Sequence, residues 1–195
     1  MVTTILLVRH GETDWNRQRR FQGRADVPLN EDGRTQVVEL AGRLVGERFA
    51  AAYTSPLRRA AESAAILGKR LGLVARPTDA LQEVDVGSWS GLTVTEIEDR
   101  FPQGFRRWID WKVEGWEDGE QSGDFRRRVV GGLLEIAGRH PGGQVLAVTT
   151  AGRSGRLWRP HSGVRRTSCA VRTPSSRTAP VVRIAVQDGV LQAVD

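Results

Sequence analysis

The sequence predicts a three-layer α/β/α sandwich with a mostly parallel central sheet. Three observations carry that expectation. An apolar run at 5–8 empties into Arg9-His10-Gly11, amphipathic stretches at helical spacing alternate with short apolar stretches as far as residue 72, and a second apolar run follows at 144–149. Parallel strands need long crossovers, and the intervening amphipathic stretches have the length and pattern of crossover helices.

Taken in order, residues 5–8 read as a buried strand with Gly11 as the turn after it. Arg9 and His10 then stand at the carboxyl end of that strand, where α/β sheets bind ligands. Asn30 is suited to cap a helix over 31–48, in which Val37, Val38, Leu40, Ala41, Leu44 and Val45 recur at helical spacing. Residues 49–54 read as a short strand. Pro56 suits the first turn of a helix that runs through Ala60, Ala64, Ile66, Leu67 and Leu71 to Gly72.

Residues 88–124 read as irregular, rich in Trp, Gly and charge, with Phe101, Phe105, Trp108, Ile109 and Trp111 as packing points. Their place between regular elements suits a cap over a substrate. A helix over 125–138 follows and ends at His140-Pro141-Gly142-Gly143, which makes His140 a helix-end residue rather than a catalyst. After the 144–149 strand, only 181–186 and 190–194 regain a regular pattern, that of a hairpin around Asp188-Gly189.

At 195 residues the length suits one domain, 1–195, with a sizeable core. The opening Met1-Val2-Thr3-Thr4-Ile5 has neither the basic and apolar regions of a secretory signal nor a membrane span, so a cytoplasmic location is expected. Cys169 is the only cysteine, which excludes an intrachain disulfide and a Cys-based zinc site. The net charge of +6 invites a nucleic-acid reading, yet seven arginines and no Lys, Asp or Glu fall within 151–180. Without that segment the balance is slightly negative. Trp158 is its one aromatic residue, so neither nucleic acid nor a membrane is an expected partner, and the oligomeric state is not legible.

With Asn16 and the stretch Phe21-Gln22-Gly23-Arg24-Ala25-Asp26, the segment around Arg9-His10-Gly11-Glu12 resembles the signature of the histidine phosphatase superfamily, the phosphoglycerate mutase-like family. Thr54-Ser55-Pro56-Leu57-Arg58-Arg59-Ala60 is similar to its second motif, and Leu81-Gln82-Glu83-Val84-Asp85-Val86-Gly87-Ser88-Trp89 to its third. The resemblance runs from about residue 4 to 149 and implies a phosphoglycerate mutase-like fold. It implies His10 as nucleophile, Arg9 and Arg58 as phosphate ligands, and Glu83 as proton donor. Asn16 is implied as a further phosphate contact, with Gln22 and Gly23 shaping the substrate entrance.

These residue types suit the chemistry. A neutral imidazole can attack phosphorus, guanidinium groups balance charge on the phosphoryl oxygens, and a carboxylic acid protonates the leaving alkoxide. No metal or other cofactor is needed, and the partner implied is a small phosphorylated metabolite. The shortness of the chain favours the family's broad-specificity phosphatases over its mutases. Phosphoglycerate mutase-type transfer and a non-catalytic phospho-ligand-binding relative are the alternatives.

The resemblance fails at the fourth motif. Where the family's late strand ends in His-Gly, this chain has Thr149-Thr150-Ala151-Gly152. Losing that histidine implies a weakened enzyme. Two readings of 151–180 stand. In one, a nucleotide lost near codon 150 shifted the frame: restoring a cytosine allows Thr-His-Gly followed by an Ala-rich helix, and a compensating shift before residue 181 returns the hairpin. In the other, the segment is a divergent basic loop.

Overall fold

A computed structural model describes residues 1–110, 115, 116, 118–150, 164–166 and 179–194 of the protein, the short stretch 164–166 by its backbone alone. Residues 151–180 therefore lie outside the described residues apart from 164–166, Ala179 and Pro180, as do Trp111, Trp158 and Cys169.

The strands are β1 (Thr3–Arg9), β2 (Ala51–Thr54), β3 (Ala75–Pro77), β4 (Gln144–Thr149), β5 (Val164–Arg166), β6 (Val181–Gln187) and β7 (Val190–Val194). The helices are α1 (Asp14–Arg17), α2 (Glu31–Leu44), α3 (Arg58–Leu71), α4 (Val94–Arg100), α5 (Pro102–Ile109) and α6 (Ser122–Gly138). Among the described residues the sheet has seven strands in the order β3-β2-β4-β1-β6-β7-β5. β3, β2, β4 and β1 run parallel, and β6 alone opposes its neighbours β1 and β7. The predicted mostly parallel α/β sandwich is what forms.

Side chains on β1 alternate between two cores, as the period of a strand requires. Ile5 and Leu7 face one layer with Phe125, Val129, Leu133 and Ile136 of α6, while Leu6 and Val8 face the other with Val37 and Leu40 of α2 and Ala60, Ala64 and Leu67 of α3. Four consecutive apolar residues thus serve both faces of a buried strand, which is why the run reads as continuous rather than alternating.

Several boundaries differ from the sequence reading. α2 ends at Leu44, short of residue 48, because Val45 turns to extended backbone and Gly46 takes φ +98°. β2 accordingly starts at Ala51. The short edge strand β3 was not expected. Residues 88–124 are not irregular throughout: α4 opens on a Thr93/Glu96 capping box and α5 on Pro102 in its first turn. Both signals stand in the sequence, but the dense Trp and Gly content of the region masks them. The hairpin turn is as predicted, with Asp188 at φ 50° and Gly189 at φ 74°, the left-handed pair that a two-residue hairpin loop demands.

Candidate active site

β1 and β4 are in register from Thr4 with Gln144 to Arg9 with Thr149, so both strands end together. The next residue, His10, still donates its backbone N–H to the Thr149 carbonyl at 3.2 Å. The chain then turns at Gly11, whose place is set by packing. A methyl at Gly11 would collide with the Gly33 carbonyl, and one at Gly33 with the backbone of Glu12. The turn after β1 and the start of α2 therefore approach to a distance only glycine permits.

Hydrogen bonds complete the attachment. Gly11 N–H donates to Ser63 Oγ at 3.1 Å, and Ser63 Oγ–H donates to the Arg59 carbonyl at 2.7 Å, tying the turn to α3. Asn30 caps α2 through Gly33 N–H at 2.8 Å and holds Glu12 Oε1 with its amide at 2.9 Å.

His10 is buried, and its Nδ1 lies 2.6 Å from the Gly11 carbonyl oxygen. A carbonyl can only accept, so Nδ1 carries the proton and Nε2 keeps its lone pair. Burial holds the imidazole pKa well below its usual value, and the neighbouring charges of Arg9 and Arg59 push the same way against the Gly11 hydrogen bond. His10 is a neutral base with a free nitrogen at physiological pH.

A cavity of about 340 Å³ opens over this residue. Arg9, His10, Asn16, Gln22, Gly23 and Glu83 all line it, so six of the seven residues expected at the site converge. Asn16 closes a capping box with Thr13, and its Oδ1 accepts from Thr13 N–H at 3.1 Å, which leaves the amide Nδ2 as its donor toward the cavity. Glu83 follows the 3-10 turn Asp79–Leu81; burial raises its carboxyl pKa, opposed by the Val84 N–H and the charges of Arg59, Arg9 and Arg128.

The seventh residue, Arg58, is a correction. Its side chain is 56% exposed and donates from Nε to Glu62 at 2.7 Å, outside the cavity. The arginine that lines the cavity is its neighbour Arg59, 1% exposed, with Nη1 on the Ala25 carbonyl at 2.7 Å and Nη2 on the Gly23 carbonyl at 2.8 Å. Helical phase decides between them. Arg59, Ala60, Ser63, Ala64 and Leu67 form the buried face of α3, whereas position 58 falls on the solvent side. Desolvation lowers the Arg59 pKa to about 10, against the pull of Glu83 and Asp26.

The rest of the wall went unread in the sequence: Arg19, Arg20, Phe21, Val84, Val86, Trp108 and Trp116. The aromatic residues form one cluster, with Phe21 edge-on to Trp89 and Trp108, and Trp89 edge-on to Trp116. Of the expected packing points, Phe105 is in the core and Phe101 and Trp108 pack against it, whereas Ile109 is exposed; Trp108 and Trp116 also line the cavity. Arg59 Nε, Gln22 Oε1 and Trp116 Nε1 are buried polar atoms with no hydrogen-bond partner among the described residues.

Thr150 is fully buried but does not line the cavity; its hydroxyl, like that of Thr149, points to the Leu81 carbonyl, at 3.4 and 3.1 Å. His140 lies at the opposite end of the sheet, just past α6, with Nε2 3.0 Å from the Tyr53 hydroxyl, the structural position expected of it.

A doubly wound sheet that brings one neutral imidazole and two guanidinium groups to its carboxyl edge defines an anion-handling site of the phosphoryl-transfer kind. Residues 5–161 match the histidine phosphatase superfamily (branch 1), and the chain belongs to that superfamily. Phosphoserine phosphatase 1 of Hydrogenobacter thermophilus is 37% identical over 147 residues, 74% of this chain and 69% of that one. Glucosyl-3-phosphoglycerate phosphatase of Mycobacterium tuberculosis is 35% identical over 137 residues, 70% of this chain and 61% of that one. Among solved structures, Bacillus stearothermophilus YhfR superposes with a TM-score of 0.80 at 31% identity, covering 98% of this chain and 95% of that one.

Proposed function

We propose that the protein hydrolyses small phosphomonoesters through a phosphohistidine on His10. The observation that carries this reading is the tautomer: His10 lines the cavity with Nδ1 committed to the Gly11 carbonyl, which leaves Nε2 as a neutral nucleophile, and Arg9 and Arg59 line the same cavity. Nε2 attacks phosphorus in line, and Arg9, Arg59 and the Asn16 amide take the phosphoryl oxygens. Glu83, whose carboxyl is biased toward its protonated form, gives its proton to the leaving alkoxide. The resulting carboxylate then takes a proton from water as it attacks the phosphohistidine, which releases phosphate and restores both groups.

Gln22 and Gly23 shape the entrance, Gly23 also by holding Arg59 through its carbonyl. The substrate class is a small phosphorylated metabolite, handled without a metal, in the cytoplasm. Relatives named for phosphoserine and glucosyl-3-phosphoglycerate support that class. No imidazole stands at Thr150, so the rate is that of a weakened enzyme.

The test is rapid acid-free quenching during turnover of a chromogenic phosphate ester, followed by peptide mapping. A base-stable, acid-labile phosphoryl group on the His10 peptide is expected, absent from His10→Ala. Label on another residue, or turnover unaffected by His10→Ala, overturns the reading.

A further inference from the structure

Glu83 sits on a loop with no regular structure of its own beyond the 3-10 turn Asp79–Leu81, yet its carboxyl must meet a leaving group to within a few tenths of an ångström. One side chain outside the cavity spans that loop. From α6, Arg128 donates through Nη1 to the carbonyls of Asp79 at 2.7 Å, Gln82 at 3.1 Å and Ala80 at 3.4 Å, and through Nη2 to the carbonyl of Glu83 itself at 3.3 Å. The guanidinium is in turn fixed as a fork on Glu120, with Nε to Oε1 at 2.9 Å and Nη2 to Oε2 at 2.8 Å. Glu120 closes the loop's other side: its N–H donates to the Asp85 carbonyl at 2.9 Å, and its carboxylate accepts from Asp85 N–H at 3.4 Å.

One turn further along α6, a methyl at Gly132 would collide with Ala80, so the helix lies directly against the turn that Arg128 gathers. Arg128 also rests on the Phe125 ring, 5.3 Å from its centroid, which limits the swing of its side chain. We infer that Arg128, braced by Glu120, is the positioning residue for the proton donor Glu83, holding its backbone from both sides without touching the substrate. Four carbonyls converge on this one cation, and all four belong to Glu83 or the residues just before it. The inference rests on the reading of Glu83 as proton donor.

The test exploits leaving-group chemistry. A nitrophenolate leaves without a proton, whereas an alkoxide does not, so a misplaced acid slows alkyl esters selectively. Arg128→Met is expected to lower kcat/KM, which reports phosphoryl transfer to His10 and not the later hydrolysis shared by all esters, about tenfold or more on glycerol phosphate, while that for p-nitrophenyl phosphate changes less than about threefold. Arg128→Lys restores part of the loss, and Arg128→Met adds little to Glu83→Gln. Should Arg128→Met fail to fold, Glu120→Gln loosens the same brace and carries the same expectation.

A readout without turnover accompanies this, the titration of the Glu83 carboxyl by carbon-13 NMR. The charged groups around it are Arg9 from the end of β1, Arg59 from α3 and Arg128 from α6, with the neutral His10 lining the same cavity. Removing the Arg128 cation is expected to move the midpoint upward. Equal losses of kcat/KM on both esters, or an unmoved midpoint, overturn the inference. Equal losses of kcat/KM for Glu83→Gln itself instead overturn the reading of Glu83.

Discussion

The floor of the cavity and its rim are built by different means. At the floor, His10 is committed to the Gly11 carbonyl and Arg59 to two more, and the Gly11 turn is wedged against Gly33 and bonded to Ser63. Each group there is held by backbone. At the rim, Arg19 is exposed, and Trp108 and Trp116 pack on other rings. The floor presents a fixed set of donors, suited on the proposed reading to a phosphoryl group, while the rim is built of side chains that take no part in the proposed chemistry. Preorganised donors contribute most where charge develops, which in the proposed mechanism is the floor.

The largest test of this difference lies in two adjacent arginines. Arg59→Ala is expected to lower kcat/KM by about 10²–10³-fold, the loss typical of one preorganised donor. Arg58→Ala, which removes an exposed ion pair to Glu62, should leave activity within about threefold. Steady-state kinetics on one ester decides it, and a greater loss at Arg58 than at Arg59 would break the division between floor and surface.

The floor also has a gap. Thr150 turns its hydroxyl to Leu81 and offers the cavity nothing. Thr150→His is expected to raise kcat by about tenfold, part of what one more donor can contribute. No gain in a variant that melts like the parent would show that the path after Thr149 does not aim residue 150 at the phosphoryl group.

At the rim the expected changes are smaller and depend on the substrate. Trp116→Phe keeps the ring cluster but removes a buried indole N–H that has no hydrogen-bond partner among the described residues. KM is expected to change by about three- to tenfold for esters with a hydroxylated leaving group, as for one neutral hydrogen bond, and hardly at all for p-nitrophenyl phosphate. A uniform fall in kcat across esters would place Trp116 with the floor instead.

The smallest effect is on stability. The folded-state pKa of Glu83 is raised, so its carboxyl stabilises the fold below the ordinary carboxylate range, and that contribution is lost as pH rises through the folded value. Glu83→Gln is therefore expected to melt about 2–4 °C higher at neutral pH, with the difference vanishing in acid. Thermal melting across that pH range checks the sign.

The sequence made the floor largely legible because its signals are local. A continuous apolar run followed by Gly11 specifies a buried strand and its turn, and Arg9 and His10 are carried to the sheet edge by that pattern alone. The error at Arg58 was avoidable, since the apolar spacing of α3 already places 59 with 60, 63, 64 and 67. α4 and α5 were likewise announced by Thr93, Glu96 and Pro102, signals obscured by the surrounding Trp and Gly residues.

Other features had no local signal. That Trp116 and Trp108 face the same cavity as His10 depends on how segments some hundred residues apart pack across the sheet. That Arg128 reaches the loop before Glu83 depends on the contact between Gly132 and Ala80. By itself the sequence determined the strand and helix periods, the turn at Gly11, the residue types of the phosphoryl chemistry and the absence of a histidine at position 150. Only the tertiary structure decided which arginine faces the cavity, which nitrogen of His10 is free and what holds Glu83. Periodicity is a property of neighbours along the chain, whereas burial, tautomer and pKa are set by groups that the chain brings together from afar.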